Sequence, residues 1–353
     1  MDDVAQVVLY NSLNINKREK IYILSTGESP LVDSLIKRLT IIGAYAYVKQ
    51  IKISELKSLI NYGNSSFFRN LLKHELKMLH EMDAFIGVTH DINTFEMNEI
   101  DNKNHQSYYK YFYEPIMKYA QQTNKWILIH APSIALSQLS KQSSKEVNRV
   151  FEDSIIKFDY KRFYKRAVDI MKLLENTNEV KIIAPNTNLK FSIQGIDSDY
   201  CDGKHNLPGG EVFTAPNLST VHGYINFNVP FNSFGVNFDF VTLEYTNGEL
   251  TYFNTSNNKR FKEILDSDHG ANYFGEFGIG LNPYIIKPFT TSAYDEKMLG
   301  SIHLALGQSY KSAYNYNDST VHMDLVLSLL ERDGGGEIYF DNSLIMKDGV
   351  FIK

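Results

Sequence analysis

Between residues 21 and 130 short apolar runs alternate with longer amphipathic ones, and this alternation restricts the fold more than any other feature of the chain. Ile21-Tyr22-Ile23-Leu24 reads as a strand that ends at Ser25-Thr26-Gly27. Ser29-Pro30 opens a helix through Leu31, Leu35, Ile36 and Leu39, with the proline in the first turn, where its missing N–H is harmless. Ala44-Tyr45-Ala46-Tyr47-Val48 is a second strand, residues 83–88 a third and residues 126–130 a fourth, with helices expected over 67–82 and 108–121. Strands that alternate with helices pair in parallel, because each crossover returns the chain to the same end of the sheet. The expectation is a doubly wound, three-layer α/β domain of about 130 residues. Ser25-Thr26-Gly27-Glu28-Ser29 lacks the glycine spacing of dinucleotide and P-loop sites, so no nucleotide site is expected there. Residues 138–144, rich in Ser, Gln and Lys, read as a surface connection. Residues 160–175 read as a helix whose Phe163, Ala167, Ile170 and Leu174 face a core.

From Val180 the pattern changes to short, partly alternating strands, over 180–184, 189–193 and 223–227. Strands over 238–245 and 250–253 flank Thr246-Asn247-Gly248-Glu249, an Asn-Gly hairpin signal. The last strands, 338–340 and 350–352, flank turns at Asp341-Asn342 and Asp348-Gly349. The second half is therefore expected to be antiparallel-rich α+β, with the domain boundary near residue 178: an α/β domain over 1–178 and an α+β domain over 179–353.

The 353 residues are enough for two domains, and 43% hydrophobic with 22% charged residues describes a globular chain with a sizeable core. A formal net charge of -5 without a basic block gives no electrostatic footprint for nucleic acid. Cys201 is the only cysteine, which excludes an intrachain disulfide. No apolar run approaches the roughly 20 residues that span a bilayer. Met1-Asp2-Asp3-Val4 lacks the basic and apolar regions of a secretion signal, so a cytoplasmic protein that does not engage membranes is expected. Tyrosine and phenylalanine are plentiful, 23 and 22 against one Trp, and part of this surplus suits a subunit interface or a cleft.

Candidate chemistry concentrates in the second half. Gly275-Glu276-Phe277-Gly278-Ile279-Gly280-Leu281-Asn282-Pro283 is followed by His303 and then by His322-Met323-Asp324. His322 and Asp324 lie two residues apart, so on a strand both leave the same face and can chelate one ion. Imidazole nitrogen with carboxylate oxygen suits Zn, Co, Mn or Fe. The glycines around Glu276 remove side chains and allow close approach of backbone or ligand. Taken singly, each residue has an ordinary structural reading: Glu276 on a glycine-bulged strand, His303 in a core, His322 and Asp324 as a strand pair. Glu211, in Asn206-Leu207-Pro208-Gly209-Gly210-Glu211-Val212-Phe213-Thr214-Ala215-Pro216, reads as a glutamate after a turn. Their joint occurrence favours a metal centre. His269, seven residues before Glu276, is a candidate to line it, whereas His90, His130 and His205 have no partner at ligand spacing. Gly334-Gly335-Gly336 reads as a strand connection and Cys201 as structural.

Four stretches, 206–216, 275–283, 295–307 (opening with Asp295-Glu296-Lys297) and 321–324, are similar in kind and order to the M29 metallopeptidase family, the aminopeptidase T and aminopeptidase S group. The resemblance is to a shortened branch, with a compressed interval between His303 and His322. It implies a hydrolase that removes N-terminal residues from peptides, and a homodimer. It also implies that Glu211, Glu276, His303, His322 and Asp324 bind a pair of divalent metals, such as Zn, Co or Mn. Tyr310, seven residues beyond His303, takes the position of a catalytic tyrosine, and Glu296 a position that supports the ligands or a subunit contact.

Five ligands with three carboxylates fit two ions better than one, since carboxylates bridge ions roughly 3.5–4 Å apart. In this reading Glu211 or Glu276 bridges the ions or accepts the proton of the attacking water, and Tyr310 donates to the developing oxyanion. Two other readings stay open. His303, His322 and Asp324 have the composition of a facial triad for one Fe(II), as in the 2,5-dihydroxypyridine 5,6-dioxygenases that share the fold. A repurposed relative would bind a peptide or small acid without catalysis.

Overall fold

The computed structural model describes residues 1–123, 125–233 and 235–352. The chain forms two compact units, Met1–Lys157 with Gly203–Gly209, and Phe158–Asp202 with Gly210–Lys353. The expected boundary near residue 178 follows the helix Tyr160–Glu175, and that helix belongs to the second unit. Its Phe163, Ala167, Ile170 and Leu174 pack into the same core as the strands that come after it.

The first unit is built on a five-stranded parallel sheet in the order Tyr45–Ile51, Lys20–Thr26, Ala84–Thr89, Trp126–His130, Asn206–Leu207. Its central strands are apolar on both faces, which is why they appear in the sequence as continuous runs: Ile21, Ile23, Ile86 and Ile127 are fully buried. Ser29 caps the helix Pro30–Ile42 by accepting from the Leu31 N–H at 3.3 Å, and Leu31, Leu35 and Leu39 form its buried stripe. The helix expected over 67–82 runs from Ser65 to Leu79, with Asn64 accepting from the Phe67 N–H.

The helix expected over 108–121 is longer and irregular. Asn102–Tyr108 leads into a wider turn at Tyr109–Tyr113 and then into Glu114–Gln122. Pro115 has no N–H, and its ring would clash with a carbonyl four residues back, which the wider turn relieves. The segment 138–144 is shorter than expected as a connection: Ile134–Leu139 and Ser144–Ile156 are helices on either side of it. The fifth strand, Asn206–Leu207, joins the sheet from a segment far along the chain and pairs with Leu128 and Ile129.

In the second unit two antiparallel sheets share one core. The larger has eight strands, in the order Glu249–Thr255, Val241–Thr246, His222–Phe227, Thr187–Ser192, Glu179–Ala184, Glu337–Phe340, Ser343–Lys347, Val350–Phe351. It contains the Asn247-Gly248 hairpin. The strand expected over 238–245 divides, because Phe238 pairs with Phe231 in a separate two-stranded ribbon. The smaller sheet runs His322–Ser328, Ser301–Gly307, Phe274–Gly280, Glu211–Thr214, Asp199–Cys201. Phe191 of the larger sheet meets Phe277 of the smaller with ring centroids 5.2 Å apart, and Ile225, Leu243, Leu304 and Leu325 fill the space around them. The architecture is thus a doubly wound parallel sheet unit and an antiparallel-rich unit. Among the described residues no helix is long and apolar enough to cross a membrane.

Candidate metal centre

The smaller sheet of the second unit uses the period of two that a pleated strand imposes. Val212, Phe277, Leu304 and Leu325 turn into the shared core, so their neighbours Glu211, Glu276, His303 and Asp324 leave by the opposite face. Register brings them into line. Gly280 pairs with Glu211, Gly278 with His303, Ala305 with both Glu276 and Asp324, and Gly307 with His322. Four adjacent strands therefore place five candidate ligands on one patch.

The glycines make that patch possible. A Cβ on Gly278 would lie 2.1 Å from Cε1 and 2.3 Å from Nε2 of His303, so the imidazole occupies space a side chain would take. A Cβ on Gly280 would lie 2.1 Å from the Met298 carbonyl oxygen, so the segment carrying Glu296 and Lys297 packs directly on the strand.

Two groups of three donors result. Glu211, Glu276 and His303 form one, and Glu276, His322 and Asp324 the other, with donor atoms in each group all within 4.8 Å. Glu276 belongs to both. Its Oε1 lies 3.2 Å from His303 Nε2 and its Oε2 lies 3.4 Å from His322 Nε2. His303 Nε2 is also 3.6 Å from Glu211 Oε2, and His322 Nε2 is 3.4 Å from Asp324 Oδ1. His322 Nδ1 sits 2.7 Å from the Gln308 carbonyl oxygen. A carbonyl only accepts, so Nδ1 carries a proton, and Nε2, turned to the carboxylates, is the atom a metal would take on loss of its own proton.

The electrostatics are those of a site built for cations. Glu211, Glu276, His303 and Asp324 are buried, while His322 keeps its side chain 25% exposed. Burial opposes every charge here. It pushes Glu211 up, whereas hydrogen bonds from His303 and His322 overcome it at Glu276 and hold that carboxyl low. Asp324 is likewise held low, against its burial, by His322. Burial pulls His303 down, but the hydrogen bond and charge of Glu276 carry it up to about 9. Glu211 Oε2, His303 Nδ1 and Asp324 Oδ1 are buried without a hydrogen-bond partner. Unpartnered polar atoms of this kind are rare inside proteins, and the two carboxylate oxygens call for a cation or water. The donor set of imidazole and carboxylate fits a divalent transition ion.

One member of the cluster carried no signal in the sequence. The Lys297 side chain is 1% exposed and its ammonium is paired with both Glu211 Oε1 and Glu296 Oε1. A lysine following a glutamate reads as a solvated residue, and only the close approach at Gly280 buries it. Asp295, next to them, is structural: it accepts from the Phe289 and Thr291 N–H groups at 2.6 and 3.1 Å, and burial pushes its carboxyl up to about 7. Tyr310 stands at the edge, its ring 5.0 Å from that of His322 and 5.3 Å from Phe213. His269 is elsewhere. It stacks on Tyr273 and lines a cavity of about 470 Å³ with Gly248, Glu249 and Tyr316. Cys201 is a buried thiol on the strand beside Glu211, and Gly334-Gly335-Gly336 leads into the strand Glu337–Phe340.

Residues 1–351 match the family described as thermophilic metalloprotease (M29). Aminopeptidase AmpS of Bacillus subtilis (strain 168) is 28% identical over 147 residues, covering 35% of this chain and 34% of the relative. Aminopeptidase PepS of Streptococcus thermophilus is 24% identical over 159 residues, covering 40% and 38%. These matches span little more than a third of the length of the curated relatives. Among solved structures, wild-type AmpT from Thermus thermophilus shares the fold with a TM-score of 0.76 at 17% identity, over 100% of this chain and 98% of that one.

Gly278→Ala tests the packing argument. The added methyl is expected to displace the His303 ring and weaken retention of divalent metal roughly tenfold or more, the scale of disturbed ligand support. Metal analysis of the variant beside the native protein reads this out. Undiminished metal content in a folded variant would contradict it.

Proposed function

The chain belongs to the M29 metalloprotease family, and on that premise we propose that it is a metal-dependent aminopeptidase, acting through a pair of divalent ions at Glu211, Glu276, His303, His322 and Asp324. The observation that carries this reading is the shared carboxylate. Glu276 turns one oxygen to His303 and the other to His322, so two three-donor groups meet at one residue. Bound there, Zn, Co or Mn ions would polarise the scissile carbonyl and lower the pKa of a water held between them.

The protein's own groups would do the rest. Glu276 spans the two positions. Asp324 and His322 complete one, with His322 oriented by the Gln308 carbonyl, and His303 completes the other. Glu211 stands beside the His303 position with Oε2 facing inward and would be the remaining ligand there. Tyr310, packed on His322, would donate its hydroxyl to the oxyanion that forms. The mononuclear Fe(II) reading requires His303, His322 and Asp324 to act as one triad. The donor atoms support it less well, since each histidine is grouped with Glu276 and His303 is also near Glu211.

We further propose a peptide substrate, a cytoplasmic location and a closed homodimer. The dimer is supported by solvent-facing aromatics such as Tyr45, Tyr62 and Tyr316, and by the prevalence of two-fold assemblies. Sedimentation at micromolar concentration is expected to show twice the 40.5 kDa chain mass, and a single species of 40.5 kDa would refute the dimer.

His322→Ala addresses the reaction. Amino-acid p-nitroanilides should be hydrolysed by the native protein with Zn, Co or Mn, and the variant should lose at least 100-fold in kcat/KM while remaining folded. An absence of hydrolysis by the native protein with all three metals, together with ring cleavage of a hydroxypyridine under Fe(II) and oxygen, would replace the aminopeptidase reading with the dioxygenase one.

A further inference from the structure

Lys297 is a fixed cation inside the cluster, and the chain is shaped to hold it there. Burying an ammonium costs several kcal/mol unless partners surround it. Glu211 and Glu296 supply those partners. The backbone is held as firmly as the side chain. Lys297 N–H donates to the Tyr294 carbonyl at 3.0 Å, and its own carbonyl accepts from the Asn282 N–H at 2.9 Å. Asp295 ties down the preceding turn through the Phe289 and Thr291 N–H groups. Gly280 leaves no side chain where the Lys297 carbonyl carbon and the Met298 oxygen pass. The ammonium therefore has little freedom to leave Glu211.

We propose that Lys297 is a positioning residue that confines Glu211 to one oxygen on the side of the ions. The ammonium takes Oε1. Oε2, which has no hydrogen-bond partner, lies 3.6 Å from His303 Nε2. Glu296 also pairs with Lys297 through its Oε1 and so shares in holding the ammonium in place. The consequence is chemical. A carboxylate with two free oxygens can chelate an ion, whereas one with an oxygen already engaged offers a single bond. Chelation by Glu211 would fill a coordination position that a catalytic centre keeps open for water and substrate. Lys297 thus preserves the vacancy. This inference rests on the dinuclear reading given above.

Cobalt spectroscopy tests it, because the visible absorption of Co(II) weakens as its coordination number rises. Native protein and Lys297→Met are stripped of metal, loaded with Co(II) and compared at equal bound cobalt. In the variant, Glu211 Oε1 is released and can bind, so the absorption per cobalt is expected to fall. The variant's kcat should fall about 10- to 100-fold, the scale seen when ligand support is lost, with KM changed much less. An unchanged spectrum in a folded, fully loaded variant overturns the inference and leaves the aminopeptidase reading standing. A native protein that binds no cobalt overturns both.

Should Lys297→Met fail to fold, a crystal structure of the native protein loaded with Mn(II) decides the matter. Lys297 Nζ is expected within about 3 Å of Glu211 Oε1, an ordinary charge-assisted contact, with only Oε2 turned to the ions. Both Glu211 oxygens bonded to metal, or Lys297 withdrawn from Glu211, would refute the proposal.

Discussion

The structure of the second unit depends on mutual neutralisation of charges buried on one face of a β-sheet. Glu211, Glu276 and Asp324 each keep less than a tenth of their surface in contact with solvent. An isolated carboxylate in such a place would be destabilising by several kcal/mol. The partners that offset this are His303, His322 and Lys297, and every one of them lies within a salt-bridge distance of a carboxylate. The balance holds only while four strands keep their register. A slip of one residue would turn Glu276 toward Phe191 and expose Phe277 on the polar face. The apolar packing between the two sheets therefore stabilises the fold and also sets which atoms meet on the far side.

The first unit was legible where burial writes itself into the sequence. Parallel strands covered on both faces are apolar throughout, and Ile21-Tyr22-Ile23-Leu24, 83–88 and 126–130 all fall on such strands. The helix Ile53–Tyr62 is a weaker case: Ile53, Leu56, Leu59 and Ile60 have helical spacing, but Ile60 alone is buried. Ser144–Ile156 is a different case. Ser143 caps it by accepting from the Glu146 N–H, and Val147, Val150, Phe151 and Ile155 have helical spacing. That spacing is in the sequence, masked by the polar stretch that runs directly into it. Asn206–Leu207 has too few residues to carry any pattern, and its place at the sheet edge comes from tertiary pairing alone.

At the candidate site, spacing indicated that His322 and Asp324 share a face, and glycines indicated a close approach near Glu276. What approached could not be read: it is the His303 ring at Gly278 and the backbone of Lys297 and Met298 at Gly280. The division of Glu276 between two histidines was equally hidden, since it follows from register between strands far apart in sequence. His269 is close to Glu276 in sequence, yet it stacks on Tyr273 at another cavity, because a 3-10 turn at Gly270–Asn272 separates it from the strand that carries Glu276.

In the dinuclear reading two ion positions share Glu276. Calorimetric titration of metal-stripped protein with Mn(II) or Zn(II), in the native chain and in Glu276→Gln, tests it most directly. About two ions per native chain are expected, with loss of affinity at both positions in the variant, because each group has Glu276 as a donor. A single ion in the native protein, or one position that keeps its full affinity in the variant, would contradict it.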